Sequence, residues 1–348
     1  MSLSAFRPLF QPIFLKALTE KTQACAALVP DAFVADLVRY PQAVAGGDGK
    51  RVRPYLMWLL AQAGDGDAFI RFTSALEFFH AFALVHDDII DRGALRRGVP
   101  TTHTYAVAQM TQAGRVGDLV HVGDAQALLV GDLLFQWARE LFQEGAALFS
   151  EERFRIARTA FDRMVNEVIV GQMVDVDITT RRNVSMALIQ TKMRLKTAGY
   201  TFVRPMQIGT ALAGSDVDAP WLASFGESLG IAFQIQDDAI DLMVMNGEAR
   251  KTVFSDLRAN QPTMFTQHIV ENGTPAERTE LAALMGAELT DTHRERVTRL
   301  FTDSGAIAFG ASEIARLLGD AEAALKQAPE QLHAPLQELI ESVRHRKS

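Results

Sequence analysis

The sequence predicts an all-α protein, on three observations. Apolar residues recur at spacings of three and four, as in Phe72, Leu76, Phe79 and Ala83, which line one face of a helix. Ala and Leu are abundant and Val/Ile/Thr alternation is scarce, so no segment reads as a strand. Breakers such as "PQAVAGGDGK", "RRGVPTT", "QAGRVG", "TTRRN", "AGSDVDAP", "NGEARK" and "ENGTP" cut the chain into helices of about 15–30 residues. No Pro/Ser-rich linker or low-complexity tract interrupts the 348 residues, so residues 1–348 read as a single domain of long packed helices.

Composition narrows the function. The hydrophobic share is 48%, enough for a large core, and the formal net charge is −7. No Lys/Arg-dense helix or arm stands out, so nucleic acid is not an expected partner. One cysteine, Cys25, excludes a disulfide framework within the chain and suits a reducing, cytoplasmic setting. No apolar run approaches the roughly 18–20 residues of a membrane span, so none is expected. The start "MSLSAFRPLF" lacks a signal-peptide layout.

In chain order, the first cluster of interest is "GDGKRVRP", where Lys50, Arg51 and Arg53 stand just before a predicted helix. Its glycines permit close backbone approach, and Pro54 sits where a helix can begin. The next helix carries "EFFHAFALV" and ends in "HDDIIDR". Asp87 with Asp91, and Asp88 with Asp91, share a helix face at spacings of four and three. Like charges there repel, and partial burial worsens the conflict until a cation resolves it. Mg2+ suits the task, because it takes one or two carboxylates, keeps waters and bridges to phosphates. "EFFH" also matches half of a di-iron bundle site, Glu77 with His80, but no second E-x-x-H exists in the chain. His86 is either an outer partner of the aspartates or an ordinary hydrogen-bonded helix histidine.

"RRGVPTTH" then supplies Arg96 and Arg97, whose guanidinium forks grip phosphate in two-pronged fashion. "GDAQALLVGDLLFQWAREL" reads as a packing helix and a candidate dimer face. "RLKTAGYTF" places Lys196 and Thr197 in an apolar helix, where a lysine is costly unless it faces an anion. The aspartate pattern returns in "QDDAIDL", as Asp237, Asp238 and Asp241, again after an apolar run, "LGIAFQIQ". A single such cluster equally describes a solvated helix end. Two copies favour helix ends that face each other and share several Mg2+ ions with an oxygen-rich anion, diphosphate above all. The tail "RHRKS" is either a lid over that anion or an unordered terminus.

Together, "GKRVRP", "LEFFHAFALVHDDIIDRGALRRGVPTTH", "LLVGDLLF", "GQMVDVD", "KTAGYTF" and "FQIQDDAIDL" resemble the trans-isoprenyl diphosphate synthases, or polyprenyl synthetases, from about residue 46 to about residue 264. The resemblance implies the isoprenoid synthase fold: one all-α bundle around a deep cavity, as a homodimer. It implies a prenyltransferase that condenses isopentenyl diphosphate with an allylic diphosphate, with three Mg2+ ions per site. Asp87, Asp88 and Asp91 match the first metal motif; Asp237, Asp238 and Asp241 match the second. Lys50, Arg53, His80 and Arg97 match the isopentenyl diphosphate pocket. Arg96, Lys196 and Lys251 match cations on the allylic diphosphate, and Thr197 and Gln234 match polar residues beside the reacting carbons. Gln172 and Asp175 match a G-Q-x-x-D helix that orients lysine and metal water. The sequence departs at "RANQPT", where Gln261 replaces an expected lysine, and in a short loop before Lys251.

Product length is expected to follow the cavity floor. Phe82 lies about 7.5 Å along the helix before Asp87, and Phe79 and Phe78 lie about 12–13.5 Å before it. An aromatic residue five back and a small one, Ala83, four back resemble the geranylgeranyl (C20) pattern, with farnesyl (C15) or longer products as alternatives. Ordinary core is the plain alternative for each of these aromatics. Two other functions compete: a class I terpene cyclase, which has no use for an isopentenyl pocket, and an inactive regulatory subunit, which usually lacks one aspartate motif.

Overall fold

In the computed structural model, which describes residues 1–47, 49–242 and 254–346, helices carry nearly the whole chain, as the apolar spacing predicts. Those residues group into two compact units, Met1–Ile156 with Gly209–Ser215, and Ala157–Ile208 with Asp216–Ser348.

The first unit is built on α1 (Leu3–Ala26), α2 (Ala32–Arg39), α3 (Pro41–Ala45), α4 (Val52–Ala61), α5 (Asp67–Ile90), α6 (Thr102–Gln112) and α7 (Leu119–Glu144). Several, such as α2, α3 and α4 with 8, 5 and 10 residues, are shorter than the sequence suggests. The Asp31 carboxylate accepts the Val34 amide at 3.0 Å and begins α2; Asp118 does the same for His121 and begins α7. α5 is the core helix. Phe6, Phe10 and Phe14 of α1 stack in a row, Phe14 meets Phe78 edge-on at 5.5 Å, and Phe78 meets Trp137 of α7 at 6.3 Å. Contrary to the expectation of no such run, α5 is long and apolar enough to cross a membrane. Its most apolar stretch is 72% buried, as in the core helix of a soluble fold.

The sequence reading also missed a strand pair. β1 (Leu95–Arg96) and β2 (Val99–Pro100) form a two-residue antiparallel hairpin. Arg97 and Gly98 take positive φ of 52° and 78°, the backbone a tight hairpin turn requires. Tyr40 anchors it, donating to the Pro100 carbonyl at 2.7 Å and stacking on Tyr105.

α8 (Glu151–Ile178) leads into the second unit, with α9 (Met186–Met193), a π-helical segment (Arg194–Val203), α10 (Arg204–Ala213), α11 (Pro220–Leu242), α12 (Ser255–Arg258), α13 (Met264–Asn272), α14 (Pro275–Leu284), α15 (Arg294–Asp303), α16 (Ala306–Leu325) and α17 (His333–Arg344). α11 lies between the π segment and α16. Two glycines permit the close packing. A Cβ on Gly171 of α8 would stand 2.6 Å from the Lys196 amide nitrogen, and one on Gly230 of α11 would stand 2.5 Å from Ala198 Cβ. One turn after each glycine comes a polar residue, Asp175 after Gly171 and Gln234 after Gly230, and the close contact sets both beside Lys196 and Thr197.

Candidate active site

In the first unit, α5 runs from an apolar core to the aspartates at its end. Asp88 is buried, and Asp91 is exposed at the C-cap. Arg96, carried back by the hairpin, donates from Nε to both Asp88 oxygens at 2.9 and 3.0 Å, and its Nη2 lies 3.7 Å from Asp87. Desolvation raises the Asp88 carboxyl above its usual range, and the bond from Arg96 only partly opposes this. Arg96, expected on a phosphate, is thus an aspartate partner in this structure.

His80 lies about two turns deeper on α5. Its pKa is held well below the usual histidine value by desolvation and by the guanidiniums of Arg53, Arg96, Arg97 and Arg51. Arg51 and Arg96 among them are paired with Glu77 and Asp88, so it is Arg53 and Arg97 beside the neutral imidazole that favour an anion. Arg97 is exposed and Arg53 half-buried, and Lys50, just before α4, is exposed. Arg51 is different: it ion-pairs with Glu77, both side chains almost fully buried, and donates to the Ala45 and Gly47 carbonyls. Its role is structural rather than phosphate-directed, and Glu77 is thereby consumed, which disposes of the di-iron alternative. His86 is likewise an ordinary packed histidine: its Nε2 lies 3.0 Å from the Leu128 carbonyl, on the side of α7.

The three aromatics before the motif separate. Phe78 sits between Phe14 and Trp137 and belongs to the core. Phe79 is fully buried against Phe82 and Phe135, at 5.4 and 6.1 Å. Phe82 is only half-buried, in contact with His86 and Phe135 at 4.7 and 5.1 Å. Phe135, on α7, packs on both Phe79 and Phe82, and the sequence reading missed it because no local pattern links it to the motif.

In the second unit, the π segment presents Lys196 and Thr197. Such segments arise where the α ladder is widened, frequently at functional sites. Lys196 ion-pairs with Asp175 Oδ2, and Thr197 donates to Gln234 Oε1 at 2.6 Å. Gln234 in turn donates to Asp238 at 2.7 Å. Burial, helped by Asp237 and Asp241, pushes Asp238 up to about 7 against the pull of Lys192 and the Gln234 bond. Asp241 accepts from the Ser255 amide and hydroxyl and the Asp256 amide, at 3.1, 2.7 and 3.1 Å. Asp237 pairs with Arg346. Asp256, absent from the sequence reading, is driven well above the carboxylate range by desolvation and by Asp238 and Asp241.

Gln261 occupies a position with a purpose of its own: its amide donates to Asp175 Oδ1 at 2.7 Å. Lys192, also missed, lies 3.1 Å from the same oxygen. Its signal was present, since it stands four residues before Lys196. Desolvation would raise Asp175, but the two lysines outweigh it and hold it below the usual range. The Gln172 amide nitrogen is buried without a hydrogen-bond partner among the described residues. Lys251 lies outside the described residues.

No group of three or more His, Cys, Asp or Glu side chains among the described residues could by itself hold a metal ion. The donor set still fits Mg2+, which needs only one or two carboxylates when phosphate and water complete its shell. Asp238, pushed up by burial and by Asp237 and Asp241, is the carboxylate that a bound cation would return to its ionised form.

Aspartates closing apolar helices in an all-α fold, with arginines and lysines at hand, define the setting of a prenyltransferase. The polyprenyl synthetase family profile matches residues 36–303. A geranylgeranyl diphosphate synthase of Sulfolobus acidocaldarius is 32% identical over 64% of this chain and 63% of its own length. A geranylfarnesyl diphosphate synthase of Aeropyrum pernix is 30% identical over 76% of this chain and 79% of its own. Among solved structures, geranylgeranyl pyrophosphate synthase from Corynebacterium glutamicum, complexed with isoprenyl diphosphate and magnesium, superposes with a TM-score of 0.87 at 28% identity, covering 97% of this chain and 98% of its own. The chain belongs to the polyprenyl synthetase family, has the all-α isoprenoid synthase fold, and is a prenyltransferase.

Proposed function

We propose that the protein condenses isopentenyl diphosphate with an allylic diphosphate, with geranylgeranyl diphosphate as its main product. The observation that carries this reading is the Thr197–Gln234–Asp238 chain beside Lys196. It joins polar, non-nucleophilic groups to buried carboxylates that call for a cation. Asp87, Asp91, Asp237 and Asp238 are the residues that would hold Mg2+, which supplies Lewis-acid neutralisation of diphosphate charge when bound.

The chain's own residues do the rest. Lys50, Arg53, Arg97 and neutral His80 receive and orient the diphosphate of isopentenyl diphosphate. Lys196 neutralises the allylic diphosphate, so that its C–O bond can open to an allylic cation. The Thr197 hydroxyl and Gln234 amide soften that cation with their dipoles. Apolar walls keep water from quenching it. The isopentenyl double bond attacks, and the proton then lost passes to the departing diphosphate. Phe82, aromatic and half-buried five residues before Asp87, with small Ala83 next to it, supports a C20 limit, within relatives that include both geranylgeranyl and geranylfarnesyl diphosphate synthases.

Exposed Val120, Val122, Leu128 and Leu129 on α7 support a homodimer through that helix. A single cysteine supports a cytoplasmic setting. The deciding experiment incubates purified protein with isopentenyl diphosphate and C5, C10 or C15 allylic primers, with Mg2+ or with chelator, and chromatographs the dephosphorylated products. A C20 alcohol formed only with metal is expected. Hydrocarbon from an allylic diphosphate alone would mark a cyclase, and no turnover an inactive subunit.

A further inference from the structure

Asp175 is held by three donors at once. Lys196 pairs with Oδ2, while Lys192 and the Gln261 amide share Oδ1 at 3.1 and 2.7 Å. The two lysines are not equivalent. The Lys192 side chain is 10% exposed and also donates to the Pro262 carbonyl at 3.3 Å, whereas that of Lys196 is 25% exposed. A buried ammonium is tolerated only where negative charge surrounds it. Lys192 has that charge beyond Asp175, because Asp238 and Asp256 also feel it.

We propose that Lys192 is a positioning residue, the fixed positive charge that keeps Asp175 paired when Lys196 leaves it for the allylic diphosphate. The proposal rests on the prenyltransferase reading above. Without Lys192, departure of Lys196 would strand a buried carboxylate with an amide alone, so Lys196 would stay on Asp175. Because Lys192 and Gln261 reach the same oxygen, Lys192 also supplies the charge that the sequence resemblance places at position 261. A cation moved from 192 to 261 would serve the same acceptor.

The test compares wild type, Lys192→Gln and the relocated pair Lys192→Gln with Gln261→Lys. Binding of geranyl diphosphate with Mg2+ is read by calorimetry, condensation by product assay, and integrity by thermal melting. Lys192→Gln should weaken geranyl diphosphate binding about tenfold and leave the KM for isopentenyl diphosphate unchanged, and the relocated pair should recover most of the loss. Wild-type binding by Lys192→Gln overturns the proposal. So does a loss that the relocated pair does not recover, or one that falls equally on both substrates with a lower melting temperature. A wild-type protein that binds geranyl diphosphate but makes no prenyl product fails the functional reading instead, and the binding comparison still decides the role of Lys192.

Discussion

Arg346 Nη2 lies 2.6 Å from Asp237 Oδ1, so the last described residue of the chain is salt-bridged to the first aspartate of the second motif. The Gln236 amide donates to the Arg346 carbonyl at 3.0 Å, and the guanidinium lies 4.1 Å over the Phe233 ring. The end of the chain is therefore docked on α11 up to Arg346, which removes the unordered-terminus alternative for that stretch.

A cation on Asp237 competes with any metal there. Arg346→Ala should therefore tighten Mg2+ binding, by about fivefold for a partly exposed pair worth about 1 kcal/mol. Calorimetric titration of the protein with Mg2+ checks it; unchanged affinity would mean Asp237 does not bind metal or Arg346 does not occlude it.

Asp238 links stability to pH. An unfolded aspartate ionises near 3.8, and the folded one near 7. Between those values the folded state holds a proton that the unfolded state has released. The stabilisation is thus full below about 3.8 and is lost as pH rises through about 7. Relative to Asp238→Asn, the metal-free protein should lose on the order of 4 kcal/mol across that window. Mg2+ should stabilise wild type more at pH about 8 than at pH about 6, since binding needs the ionised form. Denaturant melts at each pH, with and without Mg2+, measure both effects.

The aromatics of α5 should divide by burial. Phe82→Ala opens space on a half-buried wall and should lengthen the product, seen by chromatography. Phe78→Ala should cost about 3–5 kcal/mol of stability without changing product length, because its ring fills the core between Phe14 and Trp137.

Arg97→Ala removes one of the four guanidiniums around His80. The KM for isopentenyl diphosphate should rise about 10- to 100-fold, with the KM for the allylic primer little changed. Equal rises in both constants would place Arg97 elsewhere in the reaction.

Gly230→Ala would force a methyl group into Ala198 on the π segment. A loss of about 1–3 kcal/mol is expected in denaturant titration, together with lost activity, because the same contact sets Gln234 beside Thr197.

Much of this was legible in the residues themselves. The apolar period of three and four fixed helices, and the two aspartate triplets, Lys196–Thr197 and the arginine clusters could be found because each is local in the chain. The tertiary structure alone decided who pairs with whom. Arg51 goes to Glu77, Arg96 to Asp88, Arg346 to Asp237, and Lys192 and Gln261 to one oxygen of Asp175. Phe78 turns to the core while Phe82 stays half-exposed. Spacing specifies which helix face a side chain occupies; only packing against residues distant in sequence specifies which charge or ring it meets, and at buried sites that meeting sets the electrostatics.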